Sequence, residues 1–320
     1  MALALLTDSD RFPFGPADRQ RLAAAGVRLA EVAGNERADI AAAAADADAI
    51  FVYSAKLDAD LITTLNHCKV IARCGTGYDN IDVAAALAHG ITVTYVPAYG
   101  AEDVAEHTIA LILACARRIA ASDRAVQSGA WPTFAELGPM RRLAGRTLGL
   151  IGYGRIGRAV AVRAQGLGLR VIAHDPYLPG DATNMVRLVS LADVLEAADF
   201  VSVHVPLEPT TRHLLDGAAL ALMRPDSYLI NTSRGGVIDQ AALVRALDAG
   251  QLAGAALDVL ENEPPQAGAA ILHRPDMLIT PHSAALTAEA LDELRSTALS
   301  DVLLVLRGER PRFPVGGQSR

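Results

Sequence analysis

The chain has 320 residues, of which 51% are hydrophobic, and a formal net charge of −7. That length is enough for two domains with sizeable cores, and the acidic balance speaks against non-specific nucleic-acid binding. Positive charge is carried almost entirely by arginine, with Lys56 and Lys69 as the lysines, and the apolar runs are too short to span a bilayer.

Residues 1–98 alternate short apolar runs with Ala-rich helical segments. Leu3–Thr7, Val27–Val32, Ala49–Tyr53, Val70–Arg73 and Ile91–Val96 read as strands. Asp18–Ala25, Asp58–Leu65 and Asp82–His89 read as helices, with Asp58 and Asp82 as N-caps. This predicts a small parallel α/β domain of flavodoxin-like type. The opening MALALLTDSD lacks a basic leader and is not expected to be a signal peptide. After a break at Pro97–Gly100, one long helix is predicted over Glu102–Ala120. Its apolar residues spread round several faces, which predicts burial between domains or subunits. Ala121–Arg146, with the single tryptophan Trp131, reads as an irregular arm that wraps a partner subunit or lies on the surface. Together the long helix and the arm predict a homodimer.

Thr147–Asp175 carries the strongest signal. An apolar strand, Leu148–Ile151, runs into Gly152, Gly154 and Gly157 in G-x-G-x-x-G spacing. A helix and a second strand follow, ending at Asp175. Gly152 permits a tight turn, Gly154 lets the backbone approach a pyrophosphate, and Gly157 lets the helix pack on the strand. The helix N-terminus offers N–H groups to the phosphates. Asp175 accepts from the ribose 2′-hydroxyl and repels a 2′-phosphate, which favours NAD over NADP. The alternation then continues. Helices are predicted at Leu191–Ala197, Gly217–Leu222 and Gln240–Ala249. Strands are predicted at Phe200–Val205, Ser227–Asn231, Ala253–Val259 and Met277–Thr280. A helix over Thr287–Arg307 is read as crossing back to the first domain. The expected architecture is therefore two doubly wound, Rossmann-like domains: 1–98 with 286–320 for the substrate, and 99–285 for NAD.

Ligands of open parallel sheets bind beyond the carboxyl ends of the strands. Three consecutive strand ends in the second domain carry Arg234, then Asp258 with Glu263 just beyond, then His282. Hydride transfer at an oxygen-bearing carbon needs a proton moved at that oxygen, for which a histidine is suited. A carboxylate fixes its tautomer, and an arginine grips a carboxylate and a neighbouring carbonyl. This set points to a 2-hydroxy acid/2-keto acid couple. Cys68, Cys74 and Cys115 fit no disulfide or zinc pattern, so neither is expected, and a reducing cytoplasm is the expected compartment.

RCGTGYDNID (73–82), VAEHTIALILACAR (104–117), LAGRTLGLIGYGRIG (143–157), DFVSVHVPLEPTTRHLL (199–215), LINTSRGGVID (229–239), ALDVLENEPP (256–265) and TPHSA (280–284) resemble the NAD-dependent D-2-hydroxyacid dehydrogenases over nearly the whole chain. The resemblance implies that Arg234 binds substrate, Glu263 supports the histidine and His282 is the general acid/base. It also implies backbone contacts from Arg155 and Ile156 to the pyrophosphate. Val205, Pro206 and Thr211 would line the cofactor cleft, and Thr232 and Asp258 would stand at the nicotinamide. In the first domain, the loop of Arg73, Cys74, Gly75, Thr76 and Gly77 would present N–H groups to the substrate carboxylate. Tyr53 and Lys56 would face the cleft, with Lys56 or Arg73 as a second anchor for an anionic substrate. The stretch 73–82 also resembles the C-terminal binding protein branch. That implies the alternative of an NAD-sensing corepressor with vestigial catalysis. The residues after His282, Ser283-Ala284-Ala285, match neither branch.

Overall fold

The computed structural model describes residues 1–178 and 186–316. The chain divides into two compact units, Met1–Tyr99 with Thr287–Arg320, and Gly100–Leu286.

The first unit runs β1 (Ala2–Leu6), α1 (Pro16–Ala24), β2 (Val27–Glu31), α2 (Arg37–Ala44), β3 (Ala49–Val52), α3 (Ala59–Ile62), β4 (Val70–Arg73), α4 (Val83–Ala88) and β5 (Thr92–Thr94). Among the described residues its parallel sheet has five strands in the order β2-β1-β3-β4-β5, the flavodoxin-like order. The expected caps are in place. Asp58 accepts from the Leu61 amide at 3.0 Å and Asp82 from the Ala85 amide at 2.9 Å. Every residue of β3 is buried, as a strand covered on both faces requires.

The second unit runs α5 (Ala101–Ala116), α6 (Ile119–Gln127), α7 (Phe134–Leu137), β6 (Thr147–Ile151), α8 (Arg155–Gly166), β7 (Arg170–His174), β8 (Arg187–Leu188), α9 (Leu191–Ala197), β9 (Phe200–Val203), α10 (Gly217–Ala221), β10 (Tyr228–Asn231), α11 (Gln240–Asp248), β11 (Gly254–Leu257) and β12 (Met277–Ile279). Its sheet, seven-stranded among the described residues, is ordered β12-β11-β10-β9-β6-β7-β8. Chain direction across the sheet reverses between β6 and β9, so the crevice favoured for ligands lies at their carboxyl ends. The last helix, α12 (Ala288–Leu306), belongs to the first unit. Leu294, Leu299 and Val302 share a core there with Ala4, Phe51 and Ala72. Beyond it, the Val315 amide donates to the Val93 carbonyl at 2.8 Å, and Pro314 bridges Thr94 antiparallel, covering the β5 edge.

Two expectations are corrected. The long helix predicted to Ala120 ends at Ala116, whose carbonyl takes the Arg141 amide at 2.8 Å. Arg118 then adopts φ 53°, and a separate helix, α6, begins at Ile119. An L-residue in the left-handed region cannot continue an α-helical ladder. Ala105, Ile109, Leu111 and Ile112 of α5 are buried in a core of their own unit, where α5 packs on α8, β10 and β11. The arm predicted as irregular contains α6 and a capped turn, α7. There Thr133 and Glu136 exchange cap bonds, the Thr133 amide meeting Glu136 Oε2 at 2.7 Å.

Candidate active site

The glycine turn follows β6. Gly152 has φ +93°, and a Cβ there would lie 2.6 Å from the His204 carbonyl oxygen, so the position excludes other residues by both conformation and space. Gly157, on α8, faces the Gly152 carbonyl with no room for a side chain. Gly154 is different: a Cβ there would meet nothing within 4 Å, and it heads α8 with no side-chain cap. A helix N-terminus without a cap, facing open space, fits a phosphate acceptor for the first-turn amides of Arg155 and Ile156. Asp175, just past β7, closes the turn. Its carboxylate accepts from the Tyr153 amide at 2.9 Å and the Tyr177 amide at 3.1 Å. Across the crevice, Val205 and Pro206 follow β9, and Thr211 donates to the Pro206 carbonyl at 2.6 Å. His204 is half-buried, and desolvation of its imidazole lowers it from 6.5 to about 4, which keeps it neutral.

The catalytic candidates sit on adjacent strand ends. Register pairs Asn231 of β10 with Leu257 of β11, and Leu257 with Ile279 of β12. Thr232, Asp258 and Thr280 are therefore the next residues of three neighbouring strands. Asn231 shapes the first loop, donating to the Arg234 carbonyl at 2.9 Å and accepting from the Ser233 amide at 2.9 Å. The loop lies close against Leu260 and Glu261, with no space for a side chain on Gly235.

The His282 turn is built round Asp258, which is 1% exposed. Its carboxylate accepts from the Thr280 hydroxyl, from the Ser283 amide at 2.9 Å and from the Ala284 amide at 2.9 Å. Its backbone carbonyl accepts from the His282 amide at 2.8 Å. These bonds hold His282 at φ 54°, a strained conformation that persists only where its surroundings impose it. Nδ1 of His282 lies 2.7 Å from Glu263 Oε2, while Glu263 Oε1 takes the Leu260 amide at 2.8 Å. The His282 side chain is 47% exposed, so the pair orients the ring more than it stabilises the fold.

In the first unit, Tyr53 stacks on Phe12 with ring centroids 5.0 Å apart, and the Arg73 guanidinium lies 5.7 Å from the Tyr53 ring centre. Arg73 also donates to Asn80 Oδ1 at 3.1 Å and to the Cys74 carbonyl, so its charge braces its own loop. Lys56 is exposed. The expected amide cradle at 73–77 is corrected in part. The Cys74 amide is taken by the Val52 carbonyl at 2.8 Å, as part of the sheet ladder, and the Gly75 amide by the Arg73 carbonyl at 2.9 Å. The Cys74 thiol is buried, and desolvation raises it to about 12. Thr76 is exposed and donates its hydroxyl to the Val96 carbonyl at 3.0 Å.

Sequence reasoning missed several residues that shape these loops. Asp8 is fully buried, and its carboxylate accepts from the Thr7 hydroxyl at 2.7 Å and from the amides of Tyr53, Ser54 and Ala55 at 3.3, 3.2 and 3.1 Å. His107, Thr108, Asn231 and Thr280 were likewise passed over. A polar residue directly after an apolar strand was the available signal for Asp8 and Thr280.

Residues 109–284 match the family described as D-isomer specific 2-hydroxyacid dehydrogenase, NAD binding domain. The D-3-phosphoglycerate dehydrogenase of Mycobacterium tuberculosis is 39% identical over 286 residues, covering 88% of this chain and 54% of its own length. The glyoxylate reductase of Thermofilum pendens is 38% identical over 275 residues, covering 83% of this chain and 80% of its own. The structure of the Aquifex aeolicus D-lactate dehydrogenase complexed with NAD and lactic acid superposes with a TM-score of 0.87 at 29% identity, covering 99% of this chain and 100% of that one. The chain spans about half the length of the phosphoglycerate dehydrogenases it matches. These relatives are dehydrogenases and reductases, which leaves the corepressor alternative without support. A glycine turn closed by Asp175, a His–Glu pair beyond strand ends of the same sheet and these likenesses agree: the chain belongs to the D-isomer specific 2-hydroxyacid dehydrogenase family, with NAD as its cofactor.

Proposed function

We propose that the chain interconverts a D-2-hydroxy acid and its 2-keto acid, with NAD(H) as the redox partner and His282 as general acid/base. The observation that carries this is the 2.7 Å contact between His282 Nδ1 and Glu263 Oε2, beyond the carboxyl ends of β12 and β11 in the sheet whose β6 carries the glycine turn. When bound, NAD(H) supplies the hydride donor or acceptor at its nicotinamide. Arg234 grips the substrate carboxylate and the C2 oxygen. His282 Nε2 gives its proton to that oxygen during reduction and takes it back during oxidation. Glu263, held on Nδ1, fixes the tautomer and keeps Nε2 as the working nitrogen. The turn of Gly152, Gly154 and Gly157 brings the amides of Arg155 and Ile156 to the pyrophosphate, and Asp175 takes the adenosine ribose. Val205, Pro206 and Thr211 line the cleft, with Thr232 and Asp258 at the nicotinamide end. Of the loop at 73–77, Thr76 and Gly77 are left to meet the substrate carboxylate, since the Cys74 and Gly75 amides are engaged. Tyr53 and Lys56 set selectivity, Lys56 favouring a substrate with a second anionic group.

The test is NADH oxidation with glyoxylate, pyruvate, hydroxypyruvate and phosphohydroxypyruvate. His282→Ala is expected to lose about 10²–10⁴-fold in kcat; turnover equal to wild type sinks the mechanism. Asp175→Ala is expected to narrow the preference for NADH over NADPH, and an unchanged ratio removes Asp175 from ribose selection.

The protein is proposed to be a homodimer. Trp131 is 88% exposed, Phe134 74% and Ile119 55%, and α6 buries no residue; a partner subunit would cover these apolar side chains. A monomeric mass by sedimentation at micromolar concentration overturns this. A cytoplasmic location is proposed on the three free thiols.

A further inference from the structure

We propose that His107 and Thr108, neighbours on α5, are positioning residues that brace the two loops carrying Arg234 and His282. The inference rests on the dehydrogenase reading above.

Thr232 precedes Arg234 by two residues, and Thr280 precedes His282 by two. Thr108 Oγ1 lies 3.0 Å from Thr232 Oγ1, and His107 Nε2 lies 3.1 Å from Thr280 Oγ1. One turn of one helix thus touches both loops at the same offset from the working side chain.

The donors can be assigned. Asp258 receives the Thr280 hydroxyl, two amides and no hydrogen of its own to give, so it acts as an acceptor. Thr280 has a single hydroxyl hydrogen and spends it on Asp258, so its oxygen is left to accept from His107 Nε2–H. The chain His107–Thr280–Asp258 then ends at the Ser283 and Ala284 amides that shape the His282 turn. His107 Nε2 also lies 3.6 Å from Asp258 Oδ1, close enough to fix its approach from a second direction. Thr108 donates to the Val104 carbonyl at 2.8 Å, so its oxygen accepts from Thr232. Thr108 is fully buried, and its bond to Val104 already satisfies its hydrogen. The contact to Thr232 therefore serves the loop, not the helix. Apolar neighbours on both sides, Val104, Ala105, Ile109 and Ile112, anchor this turn in the core. A rigid helix is a better reference for a reacting group than the loops themselves.

The test compares His107→Ala and His107→Gln, and Thr108→Val and Thr108→Ser, in the full chain. His107→Ala and Thr108→Val are expected to lower kcat about tenfold or more, as displacement of a reacting group does, with the KM for NADH within about twofold. Glutamine keeps an N–H donor at position 107 and serine keeps the hydroxyl at 108, so both are expected to recover most of the loss. Amide hydrogen exchange at Ser283 and Ala284 is expected to accelerate in His107→Ala and to stay slow in His107→Gln. Unchanged kcat and unchanged exchange overturn the proposal. So do losses that track a lowered melting temperature and are not recovered by glutamine or serine, because those report packing alone. If wild type turns over none of the keto acids, the dehydrogenase reading fails, and exchange at Ser283 and Ala284 still decides the brace.

Discussion

Each unit hangs a functional loop from a buried aspartate at the end of a neighbouring parallel strand. In the first, Asp8 follows β1 and holds the loop after β3, which pairs with β1. In the second, Asp258 follows β11 and holds the turn after β12, which pairs with β11. Both carboxylates take a hydroxyl hydrogen and consecutive backbone amides. The two differ in what stands behind them. Asp258 is approached by His107 from a helix, and the turn it holds carries a strained histidine. Among the described residues the Asp8 carboxylate is met by groups at the ends of β1 and β3, and the loop it holds carries an exposed lysine. In the proposed function one loop does chemistry and the other meets the substrate, so damage to each is expected in a different kinetic constant.

Of the two aspartates, the larger effect is expected from Asp258→Ala. It strands the Thr280 hydroxyl and the Ser283 and Ala284 amides, each costing about 1–3 kcal/mol if left unpaired. It also frees the turn that sets His282. A fall in kcat of about 100-fold is expected, with a lowered melting temperature, read by steady-state kinetics and calorimetry. Asp8→Asn keeps the shape but turns one acceptor into a donor facing donors. A rise of about tenfold in the KM for the keto acid is expected, with kcat within about threefold, the split that marks lost substrate binding. If Asp8→Asn lowers kcat and spares KM, the division of labour between the loops fails.

The glycine turn, Asp175 and the succession Arg234, Glu263, His282 were legible because each sits at a fixed offset from an apolar strand, and strand ends in a parallel sheet converge. The parallel α/β character of both units and most strand positions followed from alternation of apolar runs with helical segments. The break at Arg118 was not legible, because a left-handed residue between two helical stretches leaves the hydropathy pattern intact. Nor was the engagement of the Cys74 amide, since a loop and the last rung of a ladder read alike in sequence. Asp8 was not singled out either. Its role depends on the amides of Tyr53, Ser54 and Ala55, brought to it by strand pairing across more than forty positions.

Acid should act at a third strand end, that of β9. His204, beside the glycine turn of the second unit, is lowered from 6.5 to about 4 by desolvation. Below 6.5 the unfolded chain takes up this proton and the folded chain does not, so stability falls as pH drops from about 6.5 toward 4 and is flat above. The expected loss is at most about 2 kcal/mol, after discounting for the ring's partial exposure. His204→Asn should flatten this slope in urea unfolding between pH 7 and 4.5. A slope that survives the substitution assigns the acid response to other groups.

The smallest predicted effect tests whether the two aspartates are loaded alike. Ser54 gives Asp8 both its amide and its hydroxyl, whereas the Ser283 hydroxyl stands 3.4 Å from Asp258, at the limit of a hydrogen bond. Removing a well-made bond to a buried carboxylate costs about 1–2 kcal/mol, and removing one at that limit much less. Ser54→Ala should therefore destabilise by about 1 kcal/mol and raise the keto-acid KM slightly, while Ser283→Ala should shift stability by no more than about 0.3 kcal/mol. The reverse order in chemical denaturation would mean that Asp258 draws on the serine side chain after all. The His282 turn would then be held from within, as the Tyr53–Lys56 loop is, and not from the helix behind it.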